Sequence, residues 1–407
     1  MCRRPPIEPV TKCTAIEINR LAIIPLESRN PISLKQLAAQ HRGLPFVDST
    51  SSTLRDLTLQ QCELLAARSS RPANQILAEK TLLCGNPSTP PIVIQLLDQQ
   101  AIHERNQAAG QAMRAYLGLV EVYLQHELII DSKEEIQSAS ETVNKLRESR
   151  VTVAMDDGEF QRRQLELDER AERARHQQVQ LVAQLQKLLN LEGCVPSPIW
   201  TNFQSTPPIT TLELCAELSV AFENRSDLAV VERLASGDDS KATLDWLRAA
   251  VGGISPLMGI VANSKGLLRS RQTDRERTHE ASQRQDQMSS VVQAKRDLIE
   301  LEVSDAIDSI TTRLRVIDLK QQTIASLEKS LATAEKAKDL IPVDLTADLD
   351  IRLKILAVRS ELIHEIVEYE TDLVRLHQSQ GRLGRDTALD SAACATCDRM
   401  EATNSSR

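Results

Sequence analysis

Apolar residues recur along this chain at alternating intervals of three and four, and the pattern holds over unusually long stretches. Met113, Tyr116, Val120 and Tyr123 follow it, as do Ile136, Ala139, Val143 and Leu146. So do Ile307, Ile310, Leu314 and Ile317, and Leu349, Leu353, Leu356, Ile363 and Val367 continue near the matching phase. Two apolar positions in seven make a coiled-coil seam, narrower than the face a helix buries in a globular core. Polar residues interrupt the seams at Glu127, Gln321 and Glu328. Two arrangements suit such interruptions. The helices present two narrow faces to different neighbours, as in a closed ring, or the polar residues fix register in a two-stranded coil.

Punctuation divides the chain into elements. The first helix is expected over 57–83, followed by Gly85, Pro87, Pro90 and Pro91. A long arm is expected from about Ile102 to Arg150, a break at Val151–Gly158, and a return arm from Glu159 to Leu191 that Gly193, Pro196 and Pro198 end. The second half repeats the plan. A short helix is expected over 210–236, in which Leu212-x-x-Cys215 echoes Leu59-x-x-Cys62 and Arg225-Ser226 echoes Arg71-Pro72. A long arm from about Gln285 to Ala337, a break at Asp339–Thr346 and a return arm from Ala347 to Gln380 follow. Short breaks between arms of about 45 residues, roughly 70 Å long, make antiparallel hairpins. The expected organisation is a mostly disordered segment 1–53, a first repeat 54–193 with its tip near 151–158, a linker 194–209, a second repeat 210–384 with its tip near 339–346, and a disordered tail 385–407. The fold class is mainly α, with two tandem pseudo-repeats of a short helix plus a long hairpin whose tips point the same way.

Composition sharpens this reading. Only 2% of the 407 residues are aromatic, against 41% hydrophobic and 26% charged, which suits long helices better than a large globular core. A net charge of −8 gives no reason to expect nucleic acid. No stretch approaches the roughly 18 apolar residues of a spanning helix. The run Leu21–Leu26 is too short for a signal-peptide core. Among eight cysteines only Cys394 and Cys397 have ligand-like spacing, and with no second pair or nearby histidine they read as free thiols in a polar tail. The seven histidines lie on different arms without an i, i+4 pair. No phosphate loop or nucleophile elbow is present, so neither an enzyme nor a cofactor is expected.

Several stretches carry a family resemblance. Residues 57–83 look like the opening helix of the TolC family of outer-membrane efflux ducts. Phe222-Glu-Asn-Arg-Ser-Asp-Leu228 resembles that family's Asn-Arg-Pro-Asp-Leu segment, with Ser226 in place of proline. Ala115-Tyr-Leu-Gly-Leu119 resembles its Ala-Tyr-Leu-x-Leu, and 181–193 (LVAQLQKLLNLEG) its Leu-x-x-Leu-x-x-Leu-x-Gly ending. The resemblance covers residues 55–384. It implies a homotrimer whose hairpins close an α-barrel, a passive efflux or secretion conduit in the outer membrane and periplasm that works with an inner-membrane pump and a periplasmic adaptor protein. It also implies strand hairpins between short helix and long arm. The proline-rich interval 84–102 is shorter than two spanning strands of about 9–11 residues. In the interval 246–285, Arg269–His279 is charged without alternation, and only Val251–Leu268 could be a remnant. A reduced or missing β-barrel part is therefore expected.

The resemblance further implies an entrance at the hairpin tips, with acids where each return helix begins: Glu159, Asp348 and Asp350. Rings of carboxylates at a constriction favour cations. Acids in a first helical turn also complement the helix dipole, so capping is the competing reading. A soluble coiled-coil scaffold, a cytoplasmic relative that does not transport, is the alternative for the whole chain.

Overall fold

The computed structural model describes residues 53–84, 89, 91–149, 157–191, 194–198, 212–235, 274–337 and 345–385. Strand β1 (Thr53–Leu57) leads into helices α1 (Leu59–Ser69) and α2 (Arg71–Cys84). The first hairpin is α3 (Pro91–Glu148) and α4 (Asp157–Leu189). Strand β2 (Cys194–Pro198) then pairs in parallel with β1. Helices α5 (Leu214–Asn224) and α6 (Ser226–Ala235) precede the second hairpin, α7 (Asp274–Ala337) and α8 (Leu345–Ser379). The expected duplication is the architecture. At 1.5 Å per residue the 58-residue α3 is about 87 Å long.

Three expectations need correction. The helix expected over 57–83 is two helices meeting at Ser70 (ψ 106°), and its counterpart breaks at Arg225 (ψ 105°). The kinks align Leu59 with Leu214, so the match between Cys62 and Cys215 was out of register: Cys62 is buried and Cys215 exposed. The first long arm starts at Pro91 instead of Ile102, because proline fits the first helical position, where its missing N–H costs nothing. The run Ile92–Leu97 then buries Ile92, Val93, Leu96 and Leu97 against Ala73 and Ile76 of α2.

The long helices pack side by side in the order α4, α3, α8, α7. Asp168 of α4 bonds Lys133 of α3 at 2.6 Å, and Gln178 donates to the Tyr123 hydroxyl at 3.0 Å. Glu121 and Asn106 of α3 meet His364 (2.8 Å) and the Gln378 carbonyl (2.9 Å) of α8. Glu365 and Arg359 of α8 meet Arg313 (2.7 Å) and Glu328 (3.0 Å) of α7. One continuous core runs along these seams, through Leu119, Val120 and Leu185 to Ile299, Ile310, Ile324 and Val367. Past α8 the chain straps the two repeats together. Gln380 bonds Glu217 of α5, Leu383 N donates to Asn106, and Gly384 N donates to Glu63 of α1. Gly381 adopts φ +69°, and a Cβ there would lie 2.8 Å from the Asn224 carbonyl, so only glycine fits the turn.

Candidate functional site: the hairpin tips

Both return helices begin at the same end of the molecule. Phe160 and Leu167 of α4 share a small buried cluster with Ile136 and Val143 of α3 and Leu349 of α8. This cluster brings the three expected acids to one region. The two return helices therefore start side by side, while most of the expected tips, 151–156 and 339–344, lies outside the described residues.

The acids meet arginines within the protomer. Glu159 accepts from Arg163 Nε at 2.8 Å and from Arg162, four and three residues on along α4. Arg163 reaches across to α8, where its Nη1 donates to Asp350 at 2.7 Å. The hydrogen bond from Arg163, reinforced by Arg162, holds the Glu159 carboxyl below the ordinary glutamate range. Asp348, in the first turn of α8, accepts from Arg352 Nε at 3.3 Å. Arg352 also donates to Glu335 of α7 at 2.7 Å and lies 3.7 Å from Glu135 of α3. One guanidinium joins α4 to α8, and another joins α8 to α7 and α3. The tips are tied by charge where the apolar seam runs out. Glu159 to Arg163 and Asp348 to Arg352 are i, i+4 pairs that the sequence displays. The cross-hairpin bonds join residues far apart in sequence and left no local signal.

Just above the tips, α3, α4 and α8 enclose an open groove of about 460 Å³, floored by Leu128, Ile136, Leu167 and Leu356 and edged by Arg163, Arg170 and Arg173. Among the described residues no group of three histidine, cysteine, aspartate or glutamate side chains converges to hold a metal ion. No helix of the described residues is long and apolar enough to cross a membrane. Among the described residues the histidines form no such group either. His103 and His377 are pushed down chiefly by burial, and His364 pairs with Glu121.

A second charged site lies at the far end of the arms, at the kink of the second repeat. Arg225 is 6% exposed and grips both oxygens of Asp227 at 2.8 Å, Glu302 of α7 at 2.6 Å and the Ser379 carbonyl at 3.0 Å. Lys295 completes the set, 2.6 Å from Asp227. Burial alone would raise the Asp227 carboxyl; its bonds to Arg225 and Lys295 outweigh that and hold it far below the usual range. This is the Asn-Arg-Ser-Asp-Leu segment, and its chemistry is structural: it pins α6, α7 and α8 to one point.

Solved structures share this arrangement. A membrane protein from Pseudomonas aeruginosa matches with a TM-score of 0.58 at 14% identity, over 83% of this chain and 94% of that one. The outer membrane channel CmeC of Campylobacter jejuni matches with a TM-score of 0.56 at 11% identity, over 86% and 93%. The open state of the MtrE outer membrane channel of Neisseria gonorrhoeae gives 0.58 at 10% identity, over 81% and 91%. The chain has the TolC-like fold. No family model matches it, and no curated protein matches it in sequence. The β part of the TolC-like plan is reduced among the described residues. Residues 85–90 alone join α2 to α3, too few for two spanning strands, and the described strands are β1 and β2. The corresponding interval of the second repeat, with Val251–Leu268, lies outside the described residues, as do 1–52 and the tail with Cys394 and Cys397.

Proposed function

We propose that the chain is the protomer of a homotrimeric, TolC-like efflux or secretion duct at the outer membrane and periplasm, a passive conduit opened by an inner-membrane pump and its adaptor. Each repeat, 54–193 and 210–384, supplies one hairpin to the wall. The observation that carries this reading is on the two outer helices. On α7, Val291, Ala294, Leu298, Leu301, Asp305, Asp308, Thr312, Arg315 and Leu319 are all exposed and spaced by threes and fours. This exposed stripe lies opposite the buried seam of Ile299, Val303, Ile310 and Ile317. Helix α4 repeats the arrangement, with Leu165, Glu169, Glu172, His176, Val179 and Ala183 exposed opposite Phe160, Leu167, Ala174 and Leu185. Large apolar side chains left exposed on both outer helices, Leu298, Leu301 and Leu319 on α7 and Leu165 and Val179 on α4, support closure of the four-helix sheet on copies of itself.

Within the ring, Glu159, Asp348 and Asp350 stand at the entrance. Conduction needs no catalytic group, so the chain is no enzyme. The test is the mass of the full chain by analytical sedimentation: a trimer supports the duct, and a monomer at all concentrations sinks it. One observation favours a soluble coiled-coil scaffold instead, the short joint at 85–90. Outer-membrane fractionation separates the two, because a scaffold stays in the soluble fraction.

A further inference from the structure

We propose that the groove enclosed by α3, α4 and α8 is a binding site for a small organic anion with an apolar body. The site lies within one protomer and stands whether or not the ring closes.

The sequence opens this groove by placing small side chains where its walls would otherwise meet. Ala174 stands on the α4 wall, and Ala357 and Ser360 on the α8 wall. Leu128 and Ile136 of α3 are buried in the floor, whereas Ile129 and Leu353 beside them are only partly buried. A volume of about 460 Å³ lies within the range of small-molecule sites. Along α3 the lining runs from Gln125 to Ile136, a rise of about 16 Å. An apolar occupant takes out of water the parts of Ile129 and Leu353 that the protomer leaves wet.

The rim selects the sign of the charge. Helix α4 carries Arg163, Arg170 and Arg173 along it, against one acid, Glu166. Arg163 is taken up by Glu159 and Asp350, and Arg173 by Glu169. Arg170 is exposed and makes no hydrogen bond or ion pair among the described residues, and Glu166 four residues before it makes none either. The other polar side chains of the lining are uncharged amides and hydroxyls. A guanidinium offers five N–H donors in a planar fork that fits an oxyanion. One such group left open at the edge of an aliphatic floor is completed by a ligand with a single anionic group and an apolar body. A cation would reach Glu166 only past three arginines. The occupant touches α3 and α4 of the first hairpin and α8 of the second, so its binding ties the two hairpins together.

Fluorescence titration of the full chain with anilinonaphthalene sulfonate tests this, beside phenylnaphthylamine, the same aromatic body without the sulfonate. Expected is saturable binding of the sulfonate at one site per protomer, about tenfold tighter than the neutral amine. Arg170→Gln should weaken the sulfonate about tenfold and leave the amine unchanged, whereas Glu166→Gln should tighten the sulfonate about twofold. Ala357→Trp, which fills the groove, should abolish binding of both probes. Arg170 is exposed, so Arg170→Gln keeps the fold and decides the matter even where Ala357→Trp does not fold. No saturable signal, or sulfonate binding that ignores Arg170→Gln, overturns the site. Equal affinity for the two probes overturns the anion as its ligand.

Discussion

The two repeats reach one geometry by different chemistry. Each has a short helix kinked at a single extended residue, and the ψ angles at Ser70 and Arg225 differ by only a degree. At the first kink Pro72 follows directly, and the Ser69 hydroxyl donates to the Leu188 carbonyl of α4 at 2.8 Å. At the second, Asp227 takes the place of Pro72, and an ion network of Asp227, Lys295 and Glu302 around the buried Arg225 holds the turn. Proline restricts the backbone before folding, whereas an ion network acts only once its partners have assembled. The first repeat therefore carries its kink in local sequence, and the second depends on packing against α7 and α8.

The largest expected difference follows from this. Arg225→Ala removes the buried guanidinium and leaves the mostly buried Asp227 with Lys295 alone, and the expected loss is about 3 kcal/mol of unfolding free energy. Ser70→Ala at the equivalent kink should cost about 1 kcal/mol or less. Denaturant unfolding of the two variants measures both. Equal losses would show that the kinks are held by the same means after all.

The hairpins differ in a second respect. The α7 seam is built from Ile299, Val303, Ile310, Ile317 and Ile324, while α4 offers Ala174 and Gln178 between its larger residues. Gln178 is 4% exposed and hydrogen-bonded to Tyr123 across the hairpin. Tyr123→Phe removes that acceptor, and the expected cost is about 1–2 kcal/mol. Tyr123→Phe combined with Gln178→Leu should recover much of it, because both polar partners are then gone. A double variant no more stable than the single one would mean that the hydrogen bond adds nothing to the first hairpin.

Buried acids separate the regions by pH. Asp227 is depressed, so the stability it contributes is present above the unfolded aspartate range and is lost as pH falls toward its folded value. Glu370 on α8 is raised by burial, so its ionised form destabilises at neutral pH and the penalty fades as pH drops through its folded value. Glu370→Gln should therefore raise the melting temperature at pH 7 and lose that advantage in acid. Asp227→Asn should lower it at pH 7, with a smaller deficit in acid. A gain for Glu370→Gln that is the same at every pH would place its origin in packing.

What sequence alone could supply follows the range of each interaction. Heptad spacing and helix breaks are local, so the two hairpins, the order of elements and the common end at which the return helices start were legible. The start of α3 was not: Pro91 and the apolar run behind it read as punctuation and a possible strand interval, and only packing against Ala73 and Ile76 makes them helix. The exposed apolar residues of α7, Leu298, Leu301 and Leu319, stood out only once the buried face was known. The arginines at the tips were hidden for the same reason, since Arg163 and Asp350 come together only when two hairpins pack.

The smallest effect on stability, and the sharpest test of the entrance, lies in those tip acids. Asp350 is 57% exposed on its side chain and Arg163 23%, so Asp350→Ala should cost well under about 1 kcal/mol. Its effect on an assembled ring is expected to be larger than its effect on the protomer. With Asp350 gone, Arg163 keeps only Glu159, and the bond between α4 and α8 at the mouth is lost. With Asp348 gone too, Arg352 is held to Glu335 and Glu135 alone. Three copies then lose six carboxylates around one opening, together with the local field that attracts cations. The double variant Asp348→Ala/Asp350→Ala should show higher single-channel conductance in a planar bilayer and weaker block by divalent cations, while melting within a degree or two of the parent. Unchanged conductance and block would leave both aspartates as helix-terminal partners of arginine with no part in an entrance.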